Sequence, residues 1–155
     1  MIRDMTEADI AGVAKLWHDG WHDGHAAHVP AALTELRTLH SMTERLAPLL
    51  AHTRVAEENG AITGLCMTKG AELYQMYCAP EARGTGTAAR LIADGEARIK
   101  AAGHATAHLD CAIGNLRAAR FYEKSGWINC GEAHATVDTL QGPFALTLWR
   151  FEKAL

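Results

Sequence analysis

The chain lacks the features that mark membrane-spanning and secreted proteins. None of its apolar runs approaches the ~20 residues that a membrane-spanning helix needs, and its first residues lack the apolar core of a signal peptide. Its four cysteines form no Cys-x-x-Cys pair and no dense framework, which is typical of reduced thiols rather than of a disulfide-stabilised protein. We therefore expect a soluble, cytoplasmic protein.

Strong charge of either sign is also missing. The formal net charge is -3, and no basic or acidic run would dock a charged polymer. We therefore expect no nucleic-acid partner and no membrane association. The hydrophobic fraction of 48% and the charged fraction of 21% are ordinary for a globular protein. At 155 residues the chain is long enough to bury a core, and we expect residues 1–155 to form one domain.

Hydrophobic periodicity and turn residues predict an α/β fold with a mixed sheet. Asn59-Gly60 is typical of a hairpin turn, and Gly103 is typical of a helix end. Thr6 and Asp9 form a capping-box-like helix start. In chain order the predicted elements are a strand over 1–4, helices over 6–21, 30–39 and 43–50, strands over 53–57, 61–68 and 72–78, a helix over 87–102, a strand over 104–110, a helix over 115–124, and strands over 127–134 and 144–151.

A glycine-rich segment, Arg83-Gly-Thr-Gly-Thr-Ala88, lies between a predicted strand and a predicted helix. The exposed amino end of a helix carries unpaired N–H groups and a positive dipole, which suits a pyrophosphate. Glycine there allows the backbone to approach the ligand closely. The segment therefore predicts a phosphate-binding loop.

The same glycines also fit a dinucleotide-binding fingerprint, with Asp110 at the distance expected of a ribose-binding acid. Against this alternative, four residues separate the strand end at Cys78 from Arg83, and the motif follows a hairpin in mid-chain. The lysine and Ser/Thr of a nucleotide-hydrolysing phosphate loop are missing. The dinucleotide interpretation also leaves the next motif without a role.

A second motif runs from Asn115 to Trp127 and is predicted to be a short helix closed by Gly126. Asn115 and Tyr122 lie seven residues apart, on one face of that helix. Their simplest roles are structural, since Asn115 is a good N-cap residue and Tyr122 fits an amphipathic core position. A phosphate-binding loop followed by a positioned amide and phenol instead suggests a phosphorylated carrier beside a proton donor.

Together the two motifs resemble those of the GNAT N-acetyltransferase superfamily, which transfers acetyl groups from acetyl-CoA to amines. The resemblance is sharp over about residues 72–127. It implies a central mixed, mostly antiparallel, twisted sheet flanked by helices. The matching residues are Arg83, Gly86 and Ala88 in the loop, and Asn115, Ala118, Phe121, Tyr122, Gly126 and Trp127 in the helix.

The resemblance also implies a binding site for acetyl-CoA as co-substrate. Backbone amides of 83–88 would bind the pyrophosphate, with added hydroxyl contacts from Thr85 and Thr87, and the strand over 72–78 would bind the pantetheine arm. Cys78 stands where the family usually has valine, and as a buried thiol it is not expected to be a nucleophile. The implied cofactor-binding residues are Met76, Cys78, Arg83, Gly84, Thr85, Gly86, Thr87, Ala88, Asn115 and Tyr122.

By the same resemblance, Tyr122 protonates or hydrogen-bonds the departing CoA thiolate. A phenol with an ordinary pKa of about 10 is protonated at neutral pH and fits that role. The attacking amine needs a base, and Asp110 and Glu72 are candidates, with Asp110 favoured by its position. Either one is equally well read as a solvated strand-end charge.

The segment 17–28 combines aromatic and imidazole side chains, a lining typical of a small-molecule pocket. In the GNAT family this region walls the acceptor pocket, so the resemblance assigns Trp17, Trp21 and His22 to that wall. The alternative is a partly exposed helix end with buried tryptophans. We expect no metal site, because no acidic partner pattern accompanies the four histidines His18, His22, His25 and His28.

The sequence thus predicts an N-acetyltransferase that moves an acetyl group to a primary amine of a small molecule by direct nucleophilic attack. Two alternatives stay open: a non-catalytic acyl-CoA-binding sensor module on the same fold, and a protein N-terminal acetyltransferase. If the protein forms an oligomer, we expect a homodimer.

Overall fold

The computed structural model describes residues 1–155 and contains one seven-stranded sheet. Its order is β1-β2-β3-β4-β5-β7-β6, and all neighbours are antiparallel except β4 and β5. This confirms the predicted α/β class with a mixed, mostly antiparallel sheet flanked by helices. The strands are β1 (Ile2–Asp4), β2 (Thr53–Glu58), β3 (Ala61–Lys69), β4 (Glu72–Cys78), β5 (Thr106–Cys111), β6 (Ile128–Val137) and β7 (Phe144–Ala154).

Five α-helices accompany the sheet, together with 3-10 turns over Glu7–Asp9, Ala47–His52 and Pro80–Ala82. None of the helices is both long enough and apolar enough to cross a membrane. The helices are α1 (Ile10–His25), α2 (Ala31–Leu36), α3 (Leu39–Leu46), α4 (Thr87–Ala101) and α5 (Leu116–Lys124).

The helices cover both faces of the sheet. Val55 and Leu65 pack in a cluster with α1 and α3, whereas the adjacent Ala56 and Cys66 pack in a second cluster with α4 and α5. Successive strand residues point to opposite faces, so the two clusters lie on opposite sides of the sheet. The fully buried Trp17 belongs to the first cluster, and Phe151 belongs to the second.

The sheet opens between its two parallel strands. β4 and β5 are in register only at Glu72 and His108, and no further pair of their residues is matched. By contrast, β5 and β7 are paired over the full length of β5. The gap beyond Glu72 leaves room in the middle of the sheet for a ligand.

The helical segment before the sheet differs from the prediction. The helix expected over 30–39 ends earlier, at Leu36, because Arg37 leaves helical geometry with φ -90° and ψ 58°. The helix expected over 43–50 begins earlier, at Leu39, and ends at Leu46. Thr38 then caps α3, and its Oγ1 accepts a hydrogen bond from the Ser41 N–H at 3.0 Å. The first helix also continues past Trp21 to His25 despite its internal glycines.

Candidate active site

A cavity of about 470 Å³ occupies the gap between β4 and β5 and is bounded by the end of α1, the glycine-rich loop and α5. Sixteen of its 30 lining residues are hydrophobic, a composition typical of a small-molecule site. Most of the site residues predicted from the sequence line it: Trp21, Glu72, Met76, Cys78, Arg83, Gly84, Ala88, Asp110, Asn115 and Tyr122.

The glycine-rich loop has the geometry of an anion cradle. Gly84 and Gly86 have φ values of +76° and +85°, which favour glycine, and α4 begins directly afterwards at Thr87. No side chain caps this helix, so its first N–H groups are left for a ligand. A Cβ built on Gly84 would meet no atom within 4 Å, so the loop is open on its cavity side.

Thr85 and Thr87 use their hydroxyl groups inside the loop. Thr85 Oγ1 donates to the Ala82 carbonyl at 2.5 Å and lies 2.9 Å from Thr87 Oγ1. Thr87 is only 1% exposed, and neither threonine nor Gly86 lines the central cavity. In this structure both hydroxyl groups hold the shape of the loop.

Two arginines meet one carboxylate at the mouth of the cavity. Asp23 Oδ2, near the end of α1, accepts hydrogen bonds from Arg83 Nη2 at 3.1 Å and from Arg117 Nη2 at 2.6 Å. Both arginines hold the pKa of Asp23 below its usual range, Arg117 most strongly. Because all three side chains are about half exposed, these pairs contribute little stability. They do keep the positively charged side chains of Arg83 and Arg117 beside the loop.

Asn115 and Tyr122 both face the cavity, as their spacing predicted. Asn115 is also the N-cap of α5, and its Oδ1 accepts a hydrogen bond from the Ala118 N–H at 3.3 Å. The Tyr122 ring packs near Trp127 and Phe151, with centroids 6.4 and 5.7 Å away. Burial raises the pKa of Tyr122, and its hydroxyl has no hydrogen-bond partner in the protein. The phenol therefore remains a free proton donor.

Glu72 and Asp110, the two candidate bases, line the same cavity. Each side chain is partly buried, and burial raises the pKa of both. The negative charge of Asp110 raises the pKa of Glu72 further. Neither carboxylate accepts a hydrogen bond from a protein group. Both are therefore stronger bases than free carboxylates.

The sequence matches a known protein family over most of its length. The model of the acetyltransferase (GNAT) domain matches residues 6–140. The chain belongs to the GNAT acetyltransferase family. Its enzyme class is therefore that of an acyltransferase, and acetyl-CoA is the co-substrate. A search of curated proteins finds no significant match.

Solved structures share the GNAT fold over the whole chain. A GCN5-related N-acetyltransferase from Rhodopseudomonas palustris has 22% identity and a TM-score of 0.76 over 100% of this chain and 95% of its own. A ribosomal-protein-alanine N-acetyltransferase from Brucella melitensis has 20% identity and a TM-score of 0.75 over 100% and 99%. A phosphinothricin acetyltransferase from Sinorhizobium meliloti, in complex with acetyl-CoA, has 19% identity and a TM-score of 0.73 over 100% and 88%.

The two thiols that line the GNAT cavity are poor nucleophiles. Burial raises the pKa of Cys78, which lines the cavity, to about 11. It also raises the pKa of Cys111 to about 12. Since the thiolate is the reactive form, both groups are unreactive at neutral pH.

The acceptor end of the GNAT cavity is built from fewer of the predicted residues than expected. Trp21 lines it, but Trp17 does not, because it is fully buried in the core and donates its indole N–H to Gln75 Oε1 at 3.3 Å. His22 does not line it either, because its Nε2 lies 2.6 Å from the Arg37 carbonyl oxygen. These two residues support the wall and do not form its surface.

The histidines of α1 contact different groups. His18 Nδ1 lies 2.9 Å from Asp19 Oδ1, and His25 stacks on Trp21 with Nδ1 3.2 Å from its carbonyl oxygen. Burial lowers the pKa of His25 to about 4, so its imidazole is neutral at pH 7. No group of three or more His, Cys, Asp and Glu side chains is arranged to hold a metal ion.

The GNAT cavity is also lined by side chains that the sequence did not point to, among them His25, Arg37, Tyr77 and Asp138. Tyr77 Oη lies 3.5 Å from His25 Nδ1. Arg37 donates from Nη1 to the main-chain carbonyl of Asp138, a contact that spans 101 positions of the chain. His25 and Tyr77 lay within segments already singled out, but no local pattern identifies Arg37 or Asp138.

Proposed function

We propose that this GNAT domain transfers the acetyl group of acetyl-CoA to a primary amine of a small molecule, by direct attack of the amine on the thioester. The proposal rests mainly on the position of Tyr122. Its side chain lines the cavity, its hydroxyl has no partner in the protein, and the same cavity holds the phosphate-binding loop and two carboxylates of raised pKa. Binding alone does not need such a group.

The loop over 83–88 supports binding of the CoA pyrophosphate. Its open backbone at Gly84, the uncapped start of α4 and the nearby Arg83 and Arg117 all favour an anion. Structural neighbours contain such a ligand, among them the Sinorhizobium enzyme, with acetyl-CoA, and a Thermoplasma acidophilum PaiA N-acetyltransferase, with coenzyme A.

In the proposed step the amine nitrogen forms a bond to the thioester carbonyl carbon, and the carbon–sulfur bond breaks. The electron pair of that bond leaves with sulfur, and Tyr122 donates its proton to the sulfur or hydrogen-bonds the thiolate. The site contributes mainly by holding the two reactants together. The raised pKa of Cys78 and Cys111 disfavours an acetyl-cysteine intermediate.

The amine must lose a proton before or during the attack, and the carboxylate pair of Glu72 and Asp110 is the proposed acceptor. Sequence position favoured Asp110. The local charges favour Glu72, because burial and the charge of Asp110 both raise its pKa, and the charge of Asp138 raises it further. A base of higher pKa takes up the proton of an ammonium group more readily near neutral pH.

The cavity has the volume of a small-molecule site, and the acceptor shares it with the acetyl end of acetyl-CoA. Its volume of about 470 Å³ lies within the range of ligand pockets, ~300–1,000 Å³. No charged run is available to dock a protein substrate. A protein N-terminus also enters a small pocket, so peptides belong in the test.

The experiment is an acetyl-CoA turnover screen that follows free thiol release with pooled amines, amino acids and N-terminal peptides. We expect turnover with a small amine and confirmation of the acetylated product by mass spectrometry. Turnover with peptides alone would identify a protein N-terminal acetyltransferase. Tight acetyl-CoA binding without turnover of any acceptor would instead favour a non-catalytic acyl-CoA sensor. Absence of acetyl-CoA binding by calorimetry would contradict the proposal.

A further inference from the structure

We propose that the acceptor is an amino acid, whose carboxylate binds Arg37 while its amine faces Glu72 and Asp110. The inference rests on the proposed function and adds the class of acceptor. Its basis is a buried guanidinium group that faces the cavity without an anionic partner.

Arg37 is only 3% exposed, yet it lines the cavity. Its Nη1 donates to the Asp138 carbonyl oxygen. Its Nε is fully buried with no hydrogen-bond partner. Its Nη2 also has no protein partner, but it is not among the fully buried atoms, so it is reached from the cavity. Two of the three nitrogen atoms of this guanidinium therefore lack an acceptor.

No carboxylate in the protein compensates Arg37. The ion pairs of the structure include neither Arg37 nor Arg45, the second buried arginine of this region. Arg45 donates to Tyr74 Oη at 2.9 Å and lies over the Trp17 ring at 4.6 Å. The Asp138 carboxylate accepts from Lys69 and Tyr74 instead, at 3.3 and 3.2 Å.

Buried charges are expensive unless they are paired. Burial lowers the pKa of Arg37 to about 10, with a further contribution from the charge of Arg45, so the group stays protonated at neutral pH. An anionic ligand group would supply the missing partner. A carboxylate suits it, because a hydrogen bond from Nη2 to a carboxylate oxygen is charge-assisted and compensates the guanidinium charge.

The rest of the cavity fits the other parts of an amino acid. Glu72 and Asp110 attract an ammonium group and accept its proton, whereas the Arg37 charge disfavours a simple amine that carries no anion. Apolar side chains complete the wall, so a side chain of the ligand has a surface to pack against: Trp21, Leu33, Val137, Leu146 and Leu148.

The test compares acceptors that differ only in the carboxylate. L-leucine, L-leucinamide and isopentylamine form one such series, and the corresponding methionine and phenylalanine series extend it. We expect kcat/KM to be roughly 10- to 100-fold higher for the carboxylates, the range of one hydrogen bond to a charged group. In Arg37→Lys and Arg37→Gln, this preference should disappear through a higher KM for the carboxylates.

Arg45→Lys is the matched control, since Arg45 is a buried arginine on the neighbouring helix that does not line the cavity. It should keep the preference for carboxylates. Equal or better turnover of the amide or the simple amine by the wild type would overturn the inference. Survival of the preference in Arg37→Gln would overturn it as well.

A binding measurement decides the inference even if no acceptor turns over. N-acetyl-leucine, N-acetyl-methionine and N-acetyl-phenylalanine are titrated into the protein with and without CoA, and the thermal midpoint is followed. We expect a saturable rise in the wild type and in Arg45→Lys, and none in Arg37→Gln. No rise in the wild type, or an equal rise in Arg37→Gln, would contradict carboxylate binding by Arg37, whereas missing acetyl-CoA binding would contradict the proposed function.

Discussion

Gly20 of α1 lies directly against the ring of Tyr77 in β4. A Cβ built on Gly20 would stand 2.6 Å from Tyr77 Cδ1 and 2.9 Å from Cγ, closer than real Cβ atoms approach. Glycine inside a helix costs about 1 kcal/mol relative to alanine, so the position sacrifices helix stability for this close approach. The result is that the Tyr77 ring fits between the helix and the cavity.

Gly20→Ala should lower the free energy of unfolding. The gain in helix propensity, about 1 kcal/mol, opposes an overpacking cost of roughly 1–3 kcal/mol, because the ring has no free space to move into without disturbing the cavity. Gly12→Ala in the same helix is the control, since its Cβ would meet only Ile62 Cδ1 at 3.9 Å. Chemical denaturation should show opposite signs for the two variants, and a stabilised Gly20→Ala would contradict this packing argument.

Gly84→Ala should weaken acetyl-CoA binding roughly tenfold or more, comparable to one lost hydrogen bond to a charged group. The new methyl group would stand in the open side of the loop, where no protein atom lies within 4 Å. Gly103→Ala carries the same kind of strain, because Gly103 has a φ of +98° and open space, but it lies at the far end of α4. Calorimetry should find weaker binding only for Gly84→Ala, although both variants lose similar stability.

Tyr122→Phe should reduce kcat by about 100-fold, the low end for general acid catalysis, because a thiolate is a fair leaving group. Phenylalanine keeps the packing near Trp127 and Phe151, and the lost hydroxyl had no protein partner. Stability and acetyl-CoA affinity should therefore be unchanged. Tyr77→Phe removes another hydroxyl beside the same cavity and should keep most of the activity. Equal kcat values for Tyr122→Phe and the wild type would leave Tyr122 as a core aromatic.

Glu72→Gln and Asp110→Asn should separate the two candidate bases by their pH–rate profiles. Loss of the base should depress kcat/KM most at lower pH, where the amine is mainly protonated, and we expect the larger effect for Glu72→Gln. If both variants follow the wild-type profile, neither carboxylate is the base.

Glu72→Gln should also change how the stability of the protein depends on pH. Because burial raises the pKa of Glu72 in the folded protein, its favourable contribution is present below the ordinary carboxyl pKa and is lost as pH rises through the raised value. Glu72→Gln should therefore increase the thermal midpoint at pH 7–8 relative to the wild type, and this gain should shrink toward pH 4. A loss of stability at pH 7–8 would contradict the raised pKa.

Local patterns in the sequence were sufficient for most of the fold. Period-two alternation and Asn59-Gly60 gave the hairpin of β2 and β3, and the glycine-rich segment correctly marked the start of α4. The break between α2 and α3 lies a few residues before the predicted one at 40–42, which no glycine or proline at Arg37 announces. The one local signal was Thr38, a good N-cap residue, which we had placed inside a continuous helix.

The candidate site was predictable only where its residues belong to a motif. Asn115, Tyr122 and the loop were found because a helix face and a strand–turn–helix pattern are local properties. Arg37 was missed because its burial depends on Trp21, over whose ring it lies at 5.6 Å, and on the carbonyl of Asp138 at the far end of the chain. Aromatic content does not reveal which side of a helix meets the core, so it did not show that Trp17 is buried there.

The single register pair between β4 and β5 has a consequence for aggregation. Beyond Glu72, the side of β4 that faces β5 is a strand edge without a strand partner, and such edges readily recruit strands from other proteins. Here that edge lies in the middle of the sheet, flanked by the end of α1 and by α5, and not at the outer surface. A strand that belongs to a folded neighbour would have to pass these helices to reach the edge. The protein thus keeps an open hydrogen-bonding edge without exposing it to intermolecular pairing.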